Sequence, residues 1–160
     1  MNPSSVRVDA DEVTYNLHIL LRLELELELL DDRLPLKELP EAWNVRMKDY
    51  LGILPPNDAF GVLQDVHWAQ GLIGYFPTYT LRNLASVQLF EKAMLDQPGI
   101  SDQIEKGEFS ELLTWLRNNI HQFGRKLLPE ELVQRATGKP LSAEPYLNYL
   151  RTKYSRIYRF

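Results

Sequence analysis

Nine residues, Leu21-Arg22-Leu23-Glu24-Leu25-Glu26-Leu27-Glu28-Leu29, decide the fold class. Leucine at every second position is the pattern of a half-buried strand. The residue types point the other way, because Leu and Glu are strong helix formers and Glu is depleted from strands. A helical stripe also runs through Val13, Leu17, Leu20, Leu23, Leu27 and Leu30 at steps of three or four. The segment is therefore predicted to lie within a long first helix, Asp9 to Asp32. Asp9 and Glu12 have capping-box spacing, and Asp11 and Glu12 suit the positive end of the helix dipole. Leu21, Leu25 and Leu29 fall off the stripe, so the helix is expected to pack between neighbours rather than lie on a surface.

Similar spacing recurs along the chain. Pro40 suits a first helical turn, and Trp43, Met47, Tyr50 and Leu51 form an apolar face that Gly52 and Pro55-Pro56 bring to an end. Asn57 to Tyr79 holds Gly61, Gly71 and Gly74 among aromatic residues and predicts irregular backbone, with short strands allowed. Helical spacing resumes over Thr80 to Leu95, Ser110 to Gln122, Pro129 to Ala136 and Pro145 to Tyr158. There is no internal repeat, low-complexity tract or linker. The expected architecture is an all-α bundle with one Gly- and aromatic-rich insert, forming a single domain over residues 1–160.

Composition narrows the function. Eighteen Lys and Arg against twenty-two Asp and Glu leave a net charge of −4, which argues against a nucleic-acid partner. The absence of Cys excludes a disulfide scaffold, a Cys-ligated zinc finger and a thiol nucleophile. Met1 to Ala10 lacks the apolar core of a signal peptide. The longest uncharged stretch, Val66 to Leu81, is interrupted by His67, Gln70 and Pro77 and falls short of the roughly 20 apolar residues of a spanning helix. The expectation is a soluble, cytoplasmic protein with no membrane association.

Two motifs carry the functional signal. Val6-Arg7-Val8-Asp9-Ala10-Asp11 resembles the I/V-R-x-x-A-D motif of the carboxypeptidase Taq family of zinc metallocarboxypeptidases. Gly61-Val62-Leu63-Gln64-Asp65-Val66-His67-Trp68 is similar to that family's G-x-x-Q-D-x-H-W motif at every fixed position. The segments Glu12 to His18 and Gly74 to Leu81 also resemble the family, as do Leu128 to Leu132 and Ala136 to Gly138. Arg82 departs from it, standing where members typically carry Gly.

The resemblance implies an enzyme that releases C-terminal amino acids from peptides with a divalent metal, zinc or cobalt, and that forms homodimers. Members hold the metal on a His-Glu-x-x-His helix upstream of the first motif. Here His18, His67 and His121 are the only histidines, and none is paired at i, i+4 around a Glu. The expectation is therefore a C-terminal portion with no metal site of its own, silent as a hydrolase alone. It would be complemented by a fragment bearing the metal helix and would self-associate through uncovered apolar surface.

By the same resemblance, His67, Tyr75 and Tyr79 are the catalytic candidates: His67 to orient substrate or water, the tyrosines to donate hydrogen bonds to an oxyanion or a C-terminal carboxylate. Arg7, Gln64 and Asp65 are the substrate-binding candidates. Arg7 suits a carboxylate or carbonyl oxygen, or alternatively an ion pair with Asp9 or Asp11. Gln64 and Asp65 can also fix irregular backbone. His18 is a weaker candidate, and His121 simply complements a helix dipole. The basic, aromatic segment from Tyr146, with Arg151, Lys153, Arg156 and Arg159, reads as a docking helix rather than a single-strand binder. The rival to an enzyme portion is a non-catalytic helical interaction module.

Overall fold

The computed structural model describes residues 3–159, which contain seven α-helices and no strand. The chain divides into two compact units, one ending at Thr80 and the other beginning at Leu81.

In the first unit, Tyr15–Leu30 is α1 and Leu39–Leu51 is α2. The alternating leucine segment is thus helical. The helix begins at Tyr15 rather than Asp9; its N-cap is Thr14, which makes no side-chain cap bond, and Asp11 braces the turn just before it. The Asp11 carboxylate accepts the backbone N–H groups of Val13 and Thr14 at 2.9 and 3.0 Å. Asp9 instead closes a 3₁₀ turn, Arg7–Asp9.

The inward face of α1 also differs from the traced stripe. His18, Leu21, Arg22, Leu25 and Glu26 are buried, whereas Leu20, Leu27 and Leu30 are exposed. Leu21 and Leu25 meet Leu39, Trp43, Met47 and Leu51 of α2 in the core, with Leu17 and Leu29 packed against them. Both faces of α1 are leucine-rich, so periodicity alone did not separate them. Pro40 occupies the first turn of α2, and Gly52, at φ 72°, closes its end by donating to the Lys48 carbonyl at 3.0 Å. That left-handed position favours glycine.

The segment between α2 and the next helix has the irregular backbone expected, built from turns and the 3₁₀ turns Asp58–Phe60 and Trp68–Gln70. The next helix, α3 (Pro77–Asp96), starts three residues before Thr80 because Pro77 suits its first turn. It continues from the first unit into the second.

The second unit adds α4 (Ile100–Glu105), α5 (Ser110–Asn119), α6 (Pro129–Thr137) and α7 (Glu144–Tyr158). Its core gathers Ala93, Ile100, Trp115 and Ala136. The short α4 lacks enough residues to display a period, and sequence spacing did not find it. Buried Gln88 fastens the α6–α7 connection to α3, accepting from the Ser142 N–H at 3.0 Å and donating to the Pro140 carbonyl at 2.9 Å.

Candidate functional site

All six sequence-predicted site residues lie in the first unit, and the fold brings them together from three segments. Asp65 is the pivot. One of its carboxylate oxygens accepts Arg7 Nη2 at 2.7 Å and Arg7 Nε at 3.2 Å. The other accepts Arg22 Nε at 2.7 Å and stands 2.6 Å from Arg22 Nη2. Arg22 comes from the buried face of α1, and Arg7 from the turn before it. The ion pair of Arg7 is therefore with Asp65, 58 residues away, rather than with Asp9 or Asp11. Arg7 Nη1 donates to the Tyr15 hydroxyl at 3.0 Å, so every side-chain nitrogen of Arg7 has an internal partner.

Gln64 works beside this pair as a splint. Its carbonyl accepts the Arg7 backbone N–H at 2.9 Å, and its amide donates to the Ser5 and Phe60 carbonyls. A side chain that satisfies three main-chain groups holds the N-terminal segment to an irregular loop that no regular ladder could secure.

These charges are largely withdrawn from water. Burial alone would raise the Asp65 carboxyl, but the two guanidinium groups outweigh it and hold the group below its ordinary range. Burial lowers Arg22 to about 10, with Asp65 opposing the shift. For Arg7, burial is opposed by Asp65 and Tyr15, and the net direction is upward.

On the other side of Asp65 sits His67. Its Nδ1 lies 3.7 Å from an Asp65 oxygen, and its Nε2 stands 2.9 Å from the Tyr79 hydroxyl, the donor being set by the imidazole tautomer. The ring is buried against Phe76, with centroids 4.5 Å apart, and against Tyr75 and Tyr79 at 5.5 and 5.8 Å. The Arg7 guanidinium lies 4.8 Å from the Tyr79 ring centroid, a cation–π contact. Tyr75 is 43% exposed, so the cluster presents a tyrosine to solvent from a supported base. Tyr79→Phe should cost about 1 kcal/mol, since it leaves one ring nitrogen of His67 without its bond. Urea unfolding followed by tryptophan fluorescence measures this.

Two residues absent from the motifs complete the support. Glu26, buried on α1, accepts the Trp68 indole N–H at 2.7 Å and the Gly74 backbone N–H at 2.5 Å. It pins both ends of the loop that leads into Tyr75 and the start of α3. Arg22, besides holding Asp65, donates to the His18 carbonyl at 2.7 Å and lies 4.6 Å from the Trp43 ring centroid. The sequence signal for both was available: charges four residues apart on the Leu21-Leu25-Leu29 face demand buried partners.

The histidines do not suit a metal. His18 is fully buried beside Arg22, and burial, Arg22 and Arg7 lower it to about 4. His67 is engaged by Tyr79, and His121 lies in a 3₁₀ turn of the other unit. Among the described residues no three His, Asp or Glu side chains are grouped to hold an ion.

The model of the carboxypeptidase Taq (M32) metallopeptidase family matches residues 1–154. The chain belongs to that family. Thermostable carboxypeptidase 1 of Thermus thermophilus is 51% identical over 158 residues, covering 99% of this chain but 31% of the relative. Carboxypeptidase 1 of Bacillus subtilis is 42% identical, covering 98% of this chain and again 31% of the relative. The crystal structure of the M32 carboxypeptidase from Deinococcus radiodurans superposes with a TM-score of 0.94 at 44% identity, over all of this chain and 32% of that one. This M32 chain thus spans about a third of the length of the relatives it matches and corresponds to a C-terminal portion of them. The all-α architecture agrees with the family's fold.

Proposed function

We propose that this chain is the substrate-facing portion of a metallocarboxypeptidase that releases C-terminal amino acids from peptides. What supports the reading above all is the pair of family motifs meeting at Asp65, with His67, Tyr75 and Tyr79 gathered on its outer side. In this reading the exposed Tyr75 hydroxyl donates a hydrogen bond to the substrate's C-terminal carboxylate or to a developing oxyanion. His67 orients Tyr79 through their shared hydrogen bond. Arg7, Gln64 and Asp65 act as positioning residues rather than as direct substrate contacts, because their polar atoms already serve one another. Residues 1–160 act together as one functional portion. By family resemblance the metal is zinc or cobalt and the intact assembly is a cytoplasmic homodimer. By the same resemblance the metal is held on a His-Glu-x-x-His helix upstream of the first motif, in the part of the family's polypeptide that this chain does not span.

Incubation of this chain with a blocked dipeptide and zinc or cobalt should release no amino acid above the metal-only control. Turnover by the chain alone would overturn the division of labour. Addition of the portion of the Thermus thermophilus relative that this chain does not span should restore release. Tyr75→Phe should then lower kcat by about 10-fold or more, in the range of lost transition-state hydrogen bonds. No release from the mixture would favour the rival reading, a helical interaction module.

A further inference from the structure

Glu26 is a buried acid to which the proposed chemistry gives no part. Its two carboxylate oxygens reach the chain neighbours of two catalytic candidates. One accepts the indole N–H of Trp68, the residue after His67, at 2.7 Å. The other accepts the backbone N–H of Gly74, the residue before Tyr75, at 2.5 Å. A single side chain, fixed on the buried face of α1, therefore spans both ends of the segment 68–74.

The two halves of that segment are held differently. The first closes on itself, the N–H groups of Gly71 and Leu72 donating to the carbonyls of Trp68 and His67. The second runs outward through exposed Ile73 to exposed Tyr75. Gly74 stands there at φ 75°, where the lack of a side chain lets the backbone pivot. Tyr75 lies between this glycine and Phe76, which is buried against the His67 and Trp68 rings. Phe76 anchors one side of the tyrosine, and the Gly74 bond to Glu26 anchors the other.

We propose that Glu26 is a positioning residue, setting through Trp68 and Gly74 how the His67 and Tyr75 rings face one another, with their centroids 5.5 Å apart. Its effect on turnover rests on the carboxypeptidase reading, whereas the placement of the two rings does not. The bonding fixes the residue type. Both partners are donors, so both arms of the side chain must accept. Glutamine has the same length but one accepting arm, its amide being a donor. Glu26→Gln therefore removes one of the two bonds with almost no change of volume.

NMR of this chain provides the first test. Nuclear Overhauser contacts between the His67 and Tyr75 rings are expected, together with slow exchange of the Trp68 indole and Gly74 backbone N–H groups. In Glu26→Gln at least one of these two protons should exchange about 10-fold faster or more. The contacts between His67 and Tyr75 should weaken while those between His67 and Phe76 persist. Should this variant fail to fold, Trp68→Phe removes the indole bond alone and is followed through the same ring contacts. The second test is turnover by the mixture with the unmatched portion of the Thermus thermophilus relative. Glu26→Gln should lower kcat by about 10-fold or more, as misplacement of a catalytic group does. In the Tyr75→Phe background it should add no more than about 2-fold, because both changes act through one hydroxyl. Tyr50→Phe, which removes a bond to Glu24 on the same helix, should leave kcat within about 2-fold.

Unchanged exchange and unchanged ring contacts in Glu26→Gln would overturn the assignment, whatever the mixture does. So would losses of kcat that multiply in the double variant, since Glu26 would then act by general stability and not through Tyr75. A wild-type mixture that releases nothing would sink the proposed function, and the ring contacts alone would then decide whether Glu26 places the two side chains.

Discussion

Asp65→Ala should destabilise the first unit by about 3–5 kcal/mol, the loss typical when one member of a buried ion pair is removed. The carboxylate serves two guanidinium groups at once, with contacts of 2.7 Å to Arg7 and 2.6 Å to Arg22. Arg22 is fully buried and Arg7 nearly so. Alanine would leave both cations in a low-dielectric setting with no counter-charge, which costs more than the lost hydrogen bonds themselves. Urea unfolding followed through Trp43 and Trp68, which lie in this unit, measures the effect. A change below about 1 kcal/mol would show that water reaches the triad and that its burial is not the controlling term.

Arg22→Met discriminates between two accounts of the same site. If paired charge is itself the source of stability, losing either partner should cost alike. If unpaired charge is the penalty, Arg22→Met should be much cheaper, because it leaves Arg7 and Asp65 as a neutral pair and puts an aliphatic chain against Trp43. We expect the second outcome, since well-packed apolar replacements of buried ions are often near neutral. The contrast between the two variants is more informative than either alone.

The triad also shows how far a single sequence can be read. The helices other than the short α4 are legible because each repeats its pattern within a few residues. The helical identity of residues 21–29 followed from Leu and Glu propensity despite a strand-like alternation. Which face turned inward did not follow, because leucines lie on both. Leu21 and Leu25 are core while Leu20 and Leu27 are exposed, a choice made by Trp43 and Met47 of another helix. The motif residues were identifiable individually, but not what they do for one another. Arg7 meets Asp65 across 58 residues and Glu26 meets Trp68 across 42, and no local period encodes such pairings. Near neighbours Asp9 and Asp11 were the natural candidates for Arg7, yet one Asp11 oxygen is occupied by the Val13 and Thr14 N–H groups in the turn before α1. Arg22 and Glu26 sit inside a leucine pattern whose period says nothing of their partners. Their placement on the apolar face was the better clue, since a charge there must be matched from elsewhere in the fold.

Acidification should expose the second large electrostatic term, through His18. An unperturbed imidazole titrates near 6.5, whereas His18 is lowered to about 4, first by burial and then by Arg22 and Arg7. The Ser4 backbone and Asp65 act in the opposite sense without reversing it. The unfolded chain therefore takes up a proton near pH 6.5 that the folded chain refuses until about pH 4. Stability from the neutral ring is complete above pH 6.5 and is lost as pH falls toward 4, by about 3 kcal/mol across that window. Asp65 is depressed below its ordinary 3.8, so its contribution is lost mainly below the window in which His18 acts. His18→Leu should retain the stability seen at pH 7 and abolish most of the difference between pH 7 and pH 4.5. Arg22→Met should shrink the same difference in part, because it removes one of the two cations that repel the imidazolium. An NMR titration of the His18 ring gives the independent check. A midpoint near 6.5 in the folded chain, or an acid response unchanged in His18→Leu, would mean that the ring is not held neutral by its surroundings.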